Sequence, residues 1–271
     1  MSHRHKRRKR IPSAPSLYDV PERRGVQSVE IGYRILRTVQ DADGAISLGE
    51  IARRAGLAAS AVHNYLVSLQ RTGLIASQGR GSYRIGPAAF SLGLVALRQL
   101  DGFDVARAGA ETLRDKCGAT VTLCVWGDQG PVVMFKQDAL THGALDIRPG
   151  LLLPPLGSAA GRAFVASLDP SATAAVLARH DAGDPVGQAD EVRQLRLDFA
   201  RCGYARQDFF GGMSGYRALA APIWDDVNEP RYVLVALAPV AEFAGARGEA
   251  FAAALLASAD DIGAMLGRPR R

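Results

Sequence analysis

Residues 47–75, SLGEIARRAGLAASAVHNYLVSLQRTGLI, set two short amphipathic patterns on either side of a Gly-Leu turn. A chain built this way has few folds open to it. Ser47 followed three residues later by Glu50 is a capping box: the Ser oxygen accepts an orphan backbone N–H while Glu reaches back to the cap's own N–H. A helix over 48–55 starts there, with Leu48, Ile51, Ala52 and Ala55 on its apolar face, and Gly56 supplies the left-handed residue that ends it. Leu57 plugs the turn. A further helix over 59–72 turns Val62, Leu66 and Leu69 inward, which leaves Ser60, Ala61, His63, Asn64 and Val67 for the opposite and flanking faces. Upstream, Val29, Tyr33, Leu36 and Val39 recur at helical spacing over 27–40, and Asp-Ala-Asp-Gly at 41–44 stops the pattern. Downstream, strands at 74–78 and 82–86 flank Gly79-Arg80-Gly81, a hairpin tip. Helix, helix, turn, helix and hairpin is the order of a winged helix-turn-helix.

Charge divides the chain in the same way. Residues 1–100 hold 16 Lys and Arg against 6 Asp and Glu, a net of +10, and the remainder carries −4. Much of the excess sits in HRHKRRKR at 3–10, namely Arg4, Lys6, Arg7, Arg8, Lys9 and Arg10. Prolines and absent periodicity carry this segment on as a flexible arm over 1–25. Such an arm is a solvated tail, a targeting signal, or a phosphate contact that gains affinity by releasing counterions. With 271 residues and 48% apolar content the chain has material for two ordinary domains. No membrane association is expected, since no run of about 18 apolar residues occurs, and without an apolar leader the expected location is the cytoplasm. Cys117, Cys124 and Cys202 form neither an even framework nor a metal pair and are expected to be reduced and mostly buried.

Residues 87–100, PAAFSLGLVALRQL, read as a helix opened by proline, with Phe90, Leu94 and Leu97 on one stripe. That stripe needs burial somewhere, and an intradomain core is its plain reading. Beyond it, strands at 120–127 and 131–137 flank a Gly-Asp-Gln-Gly turn. SAAGRAFVASL and DEVRQLRLDFARCGY read as helices, GYRALAAPIWD and RYVLVALAPV as strands around a turn at 225–228, and a closing helix spans 246–266. This is an α+β domain. His142 and His180 sit in separate contexts, and there is no His-x-x-x-His pair, nucleophile elbow or phosphate loop. Catalysis and cofactors are therefore not expected.

The helix-turn-helix stretch with SYRIGPAAFSLG resembles the DNA-binding domain of the IclR family of bacterial transcriptional regulators. The resemblance continues in order through PPLGSAAGRAFVA, GYARQDFF, GYRALAAPIWDD and VLVALAP, over about residues 26 to 267. It implies a basic arm (1–25), a winged helix-turn-helix domain (26–86), a linker and dimerisation helix (87–101) and a GAF-like effector-binding domain (102–267). The implied partners are a double-stranded DNA operator, a small-molecule effector, and further copies of the chain as a homodimer or dimer of dimers. The other function class is a ligand-binding or enzymatic α+β protein whose helical head contacts proteins.

On the resemblance, the third helix lies in the major groove. Asn64 is placed to bond adenine in a bidentate fashion, Ser60 and His63 to reach a base or phosphate, and Arg80 to reach the minor groove or a phosphate. The chain departs from the family's KSTVHR-like pattern at Ala59, Ala61 and Asn64, and the arm compensates for the lost basic residue. The effector pocket would form around the loop Gly157, Ser158, Ala159, Ala160 and Gly161, which is read equally well as close helix packing. Relatives that bind small carboxylates carry an acid, a Cys and serines at positions matched here by Gln207, Ala218, Val235 and Leu237. Those changes favour a larger, less polar effector such as an aromatic acid, because a small dianion would leave hydrogen bonds unmet in an apolar wall. Asp208 is placed in the same pocket, and with Arg217 it is the alternative polar contact if their side chains turn inward.

Overall fold

A computed structural model describes residues 25–42, 44–79, 81–100, 102–140, 143, 145–180, 183–208 and 215–268. The chain divides into two compact units, Met1–Leu100 and Asp101–Arg271.

In the first unit, α1 (Gln27–Gln40), β1 (Ile46–Ser47), α2 (Leu48–Ala55), α3 (Ala59–Arg71), β2 (Ile75–Ser77), β3 (Ser82–Ile85) and α4 (Pro87–Arg98) follow one another. Ile35, Val39, Ile51, Val62, Leu66 and Ile75 form its core. Gly56 ends α2 at φ 66°, as the left-handed cap requires. Three features differ from the sequence reading. The capping box is half made: Ser47 Oγ accepts from Glu50 N at 3.3 Å, but the Glu50 carboxylate turns to Arg53 and Arg54. The hairpin gains a third strand, because β1 pairs with β3 to give the order β1-β3-β2. Finally, α1 buries Gly32, Ile35, Thr38 and Val39, leaving Val29 and Tyr33 exposed. Apolar residues lie on more than one face of α1, so periodicity alone does not choose between stripes. Ile35 and Val39 pack into the core with Ile51, Val62 and Leu66, and that tertiary packing defines the buried face.

The second unit comprises α5 (Phe103–Cys117), β4 (Thr120–Gly127), β5 (Gly130–Gln137), α6 (Ala159–Ser167), α7 (Pro170–Arg179), α8 (Pro185–Cys202), β6 (Ala205–Gln207), β7 (Tyr216–Trp224), β8 (Pro230–Pro239), a short 3-10 turn (Val240–Phe243) and α9 (Gly245–Met265). Its sheet is antiparallel in the order β5-β4-β8-β7-β6. Helices α5 and α9 cover one face; α6, backed by α8, covers the other. Strand alternation sends Ala218, Ala220, Val233, Val235 and Leu237 toward α6, and Leu219, Ala221, Leu234 and Ala236 toward α5 and α9. Both faces are thus buried, which explains why β7 and β8 read as nearly continuous apolar runs. Among the described residues, no helix is long and apolar enough to cross a membrane.

Candidate functional site

The first site is the outer face of α3. With Val62 and Leu66 buried in the core, Ser60, His63 and Asn64 stand exposed. The carbonyl of Asn64 accepts from Ser68 Oγ at 3.2 Å, and its carboxamide has no hydrogen-bond partner among the described residues. Gly79 and Gly81, at φ 86° and 73°, shape the β2–β3 tip, which Ser82 Oγ tightens by donating to Gly79 O at 2.7 Å. Arg80 lies outside the described residues, as do Arg4, Lys6, Arg7, Arg8, Lys9 and Arg10. A charged cluster went unread in the sequence. Glu50 accepts from Arg53 Nε at 2.8 Å and from Arg54 Nε at 2.6 Å, and these guanidiniums hold its carboxyl down to about 2.

The second site lies between α6 and the sheet. Ser158 caps α6: its Oγ donates to Pro154 O at 2.7 Å and accepts from Gly161 N at 3.0 Å. Ser158, Ala159 and Ala160 then form one wall of a cavity of about 30 Å3. The opposite wall follows from register. Gln207 pairs with Ala218 and Ala218 with Leu237, while Val235 pairs with Thr122, so all five residues share the cavity face. Val133, Ile147 and Leu153 close it. Ile147 and Leu153 were not foreseen; they belong to a segment without periodicity that lies along the edge of β5, where Leu153 N donates to Pro131 O at 2.8 Å.

Three of the expected pocket residues are elsewhere. A Cβ on Gly161 would stand 2.4 Å from Pro155 O, and one on Gly157 would stand 3.1 Å from Pro154 Cβ. These glycines serve close packing, and the Gly161 amide is spent on the cap. Asp208 instead takes a bidentate bond from Arg217, which belongs to the opposite sheet face and lies over the Phe243 ring at 5.6 Å. Neither charge lines the cavity.

The cysteines are less uniformly buried than expected. Cys124 is buried and burial pushes its thiol up to about 12; Cys117 is half-buried and raised for the same reason; Cys202 is exposed. No group of metal-ligating side chains occurs among the described residues.

Comparison with known proteins agrees with this geometry. Residues 28–79 match the IclR helix-turn-helix domain. The transcriptional repressor IclR of Escherichia coli (strain K12) is 27% identical over 260 residues, covering 92% of this chain and 93% of that protein. The crystal structure of Pseudomonas aeruginosa HmgR is 30% identical, covers 91% of this chain and 100% of its own, and superposes with a TM-score of 0.55. An IclR homologue from Microbacterium hydrocarbonoxydans, solved in complex with 4-hydroxybenzoate, is 22% identical with a TM-score of 0.68, over 88% of this chain and 98% of its own. The kinship is with regulators rather than enzymes, which sets aside the enzymatic alternative. Winged head, α+β second unit and end-to-end similarity together place this chain in the IclR family of DNA-binding transcriptional regulators.

Proposed function

We propose that this regulator reads a pseudopalindromic operator with α3 from two copies of the chain, and that a small organic acid with an apolar, aromatic body controls it. Catabolic genes are its natural targets, since an acid of this kind is a carbon source to be sensed. The reading keeps the division into arm (1–25), reading head (26–86), linker helix (87–101) and sensing domain (102–267). Ser60, His63 and Asn64 meet base edges or phosphates, Arg80 and the basic arm add backbone contacts, and operator symmetry mirrors protein symmetry. Pairing of the heads is supported by α4, on which Phe90, Leu92, Leu94 and Val95 are exposed. An intradomain core does not account for them.

The observation that carries the effector class is the cavity wall. Ala218, Val235 and Leu237 are apolar and share the cavity with Ala159 and Ala160, the first residues of α6, and the start of a helix suits a carboxylate. The Microbacterium relative's 4-hydroxybenzoate supports the same class. At about 30 Å3 the cavity is far below the roughly 300 Å3 at which small-molecule pockets begin. Binding therefore has to move the wall. That movement supplies the difference in affinity between two states without which a ligand shifts nothing.

Calorimetry and operator titration with 4-hydroxybenzoate and pyruvate test this reading. The aromatic acid is expected to bind and to change operator affinity, and Val235→Asp to abolish that response while leaving ligand-free DNA binding intact. Tight binding of pyruvate alone would overturn it.

A further inference from the structure

The walls of the cavity between α6 and the sheet are not equally fixed. Strands β4, β7 and β8 each bond a neighbour on both edges, in a sheet covered on both faces, so moving any one of them breaks two ladders. Helix α6 is pinned at both ends: Gly161 packs against the Pro154 and Pro155 carbonyls, and Val165 O accepts from Arg196 Nε at 3.3 Å and from its NH2 at 3.2 Å. The remaining wall is the segment 145–153, which brings in Ile147 and Leu153.

That segment is a strap laid along the free edge of β5. Three backbone bonds hold it: Gly150 N donates to Val133 O at 2.7 Å, Val133 N to Leu151 O at 2.9 Å and Leu153 N to Pro131 O at 2.8 Å. Between its two inward residues the chain turns, closed by Leu151 N donating to Arg148 O at 3.0 Å with Gly150 at φ 90°, a setting that glycine adopts freely. The outer side is wet. Asp146, Arg148, Pro149 and Gly150 are exposed, and the ion pair of Asp146 with Arg148, at 84% and 82% exposure, adds little. The ends are fastened better: Lys136 Nζ donates to Leu145 O, and Ser158 Oγ to Pro154 O at 2.7 Å.

We propose that the strap is the gate of the effector cavity: it swings off β5 between fixed points at Leu145 and Pro154, and Ile147 and Leu153 withdraw to admit the ligand. The gate rests on the effector reading of this cavity. Loss of three edge bonds is a local opening, of the kind proteins make without unfolding. It uncovers Val133 and Val235 to an arriving ring, and reclosure of Ile147 over that ring leaves the strap in a different position from the empty state. The second fixed point is the carbonyl held by the Ser158 cap, so a displaced strap loads the start of α6.

Val132 and Leu152 face each other across the junction with backbone bonds on either side of the pair, an antiparallel site where Cβ atoms approach closely enough for a disulfide. They alternate with Val133 and Leu153 and so point away from the cavity. Val132→Cys with Leu152→Cys, in a Cys202→Ser background, locks the strap when oxidised. Stopped-flow mixing of the oxidised full-length protein with 4-hydroxybenzoate is expected to show association slowed about a hundredfold and restored by reductant, with ligand-free operator binding equal in both forms. Association at the wild-type rate in the oxidised form would overturn the gate and leave the effector reading standing. Hydrogen exchange of ligand-free wild type is the second measurement: the Val133, Gly150 and Leu153 amides should exchange as one unit, faster than the amides of β8. Exchange no faster than that of β8 would overturn the gate. Failure of 4-hydroxybenzoate to bind wild type and reduced variant alike would overturn the effector reading, and the gate then stands or falls on the exchange.

Discussion

Arg217 donates to Asp208 twice, Nε to Oδ1 and NH2 to Oδ2, each at 2.7 Å. The pair ties the end of β6 to the start of β7 on the far side of the sheet from the apolar cavity. Its hydrogen bonds and charge hold the Asp208 carboxyl below the ordinary carboxylate range. A folded-state value lower than the unfolded one makes the contribution complete above about pH 3.9 and lost as pH falls through the folded value. With Asp208 37% exposed, Asp208→Asn should cost below about 1 kcal/mol at neutral pH. Wild-type and variant unfolding midpoints should converge as pH falls through the folded value, because protonating Asp208 removes the difference. Effector affinity should not change, because neither charge lines the cavity.

Asn64→Ala on α3 should relax base preference at one operator position and cost about 1–3 kcal/mol of specific binding. Selection of binding sites from random duplexes, for both proteins at one salt concentration, measures it. An identical selected sequence would remove Asn64 from the reading role.

Phe90 is 69% exposed on α4. A charge at that position should be harmless to an isolated chain and should split an oligomer that buries it. Phe90→Glu is expected to lower the sedimenting mass and to weaken operator binding more than binding to a half-site. A wild-type mass equal to that of the monomer would dismiss pairing through α4.

Gly161→Ala places a methyl group against two backbone carbonyls, Pro155 O at 2.4 Å and Pro154 O at 2.6 Å. Backbone cannot swing aside as a side chain does, so a loss of about 1–3 kcal/mol is expected, read as a lower thermal midpoint of the second unit.

Asp225 is buried at 2% exposure and organises the β7–β8 turn. It accepts from Val227 N at 3.1 Å, Glu229 N at 2.9 Å and Arg231 Nε at 3.0 Å. Asp225→Ala leaves those donors without this acceptor and should cost about 2–3 kcal/mol, seen as a lower urea midpoint with DNA specificity retained.

The helix-turn-helix was legible because its signals are local: Ser47, Gly56 and the spacing of Ile51, Ala52 and Ala55 need no distant partner to be interpreted. Strands β7 and β8 announced themselves by long apolar runs. What escaped depends on partners remote in sequence. β1 and β6 are two and three residues long and exist only through pairing with β3 and β7. Helix α5 buries Ala106, Ala110 and Leu113, and small residues of that kind leave a faint periodic trace. In the cavity, the matched positions Gln207, Ala218, Val235 and Leu237 converge through strand register, which no single segment encodes. Its small volume depends on Ile147 and Leu153, whose approach is set by backbone pairing along β5. The exclusion of Asp208 could not be read either, since its bond to Arg217 spans nine residues and turns on which sheet face each side chain takes.

The alternation along β7 and β8 gives this unit two independent alphabets. Letters at 218, 235 and 237 line the cavity and those at 220 and 233 pack in the same core beside α6, while letters at 219, 221, 234 and 236 spell how the sheet adheres to α5 and α9. Substitutions confined to the first set leave the second untouched. A lineage can therefore change what it senses by editing every other residue of two strands and inherit the scaffold, and the operator it answers to, without revision.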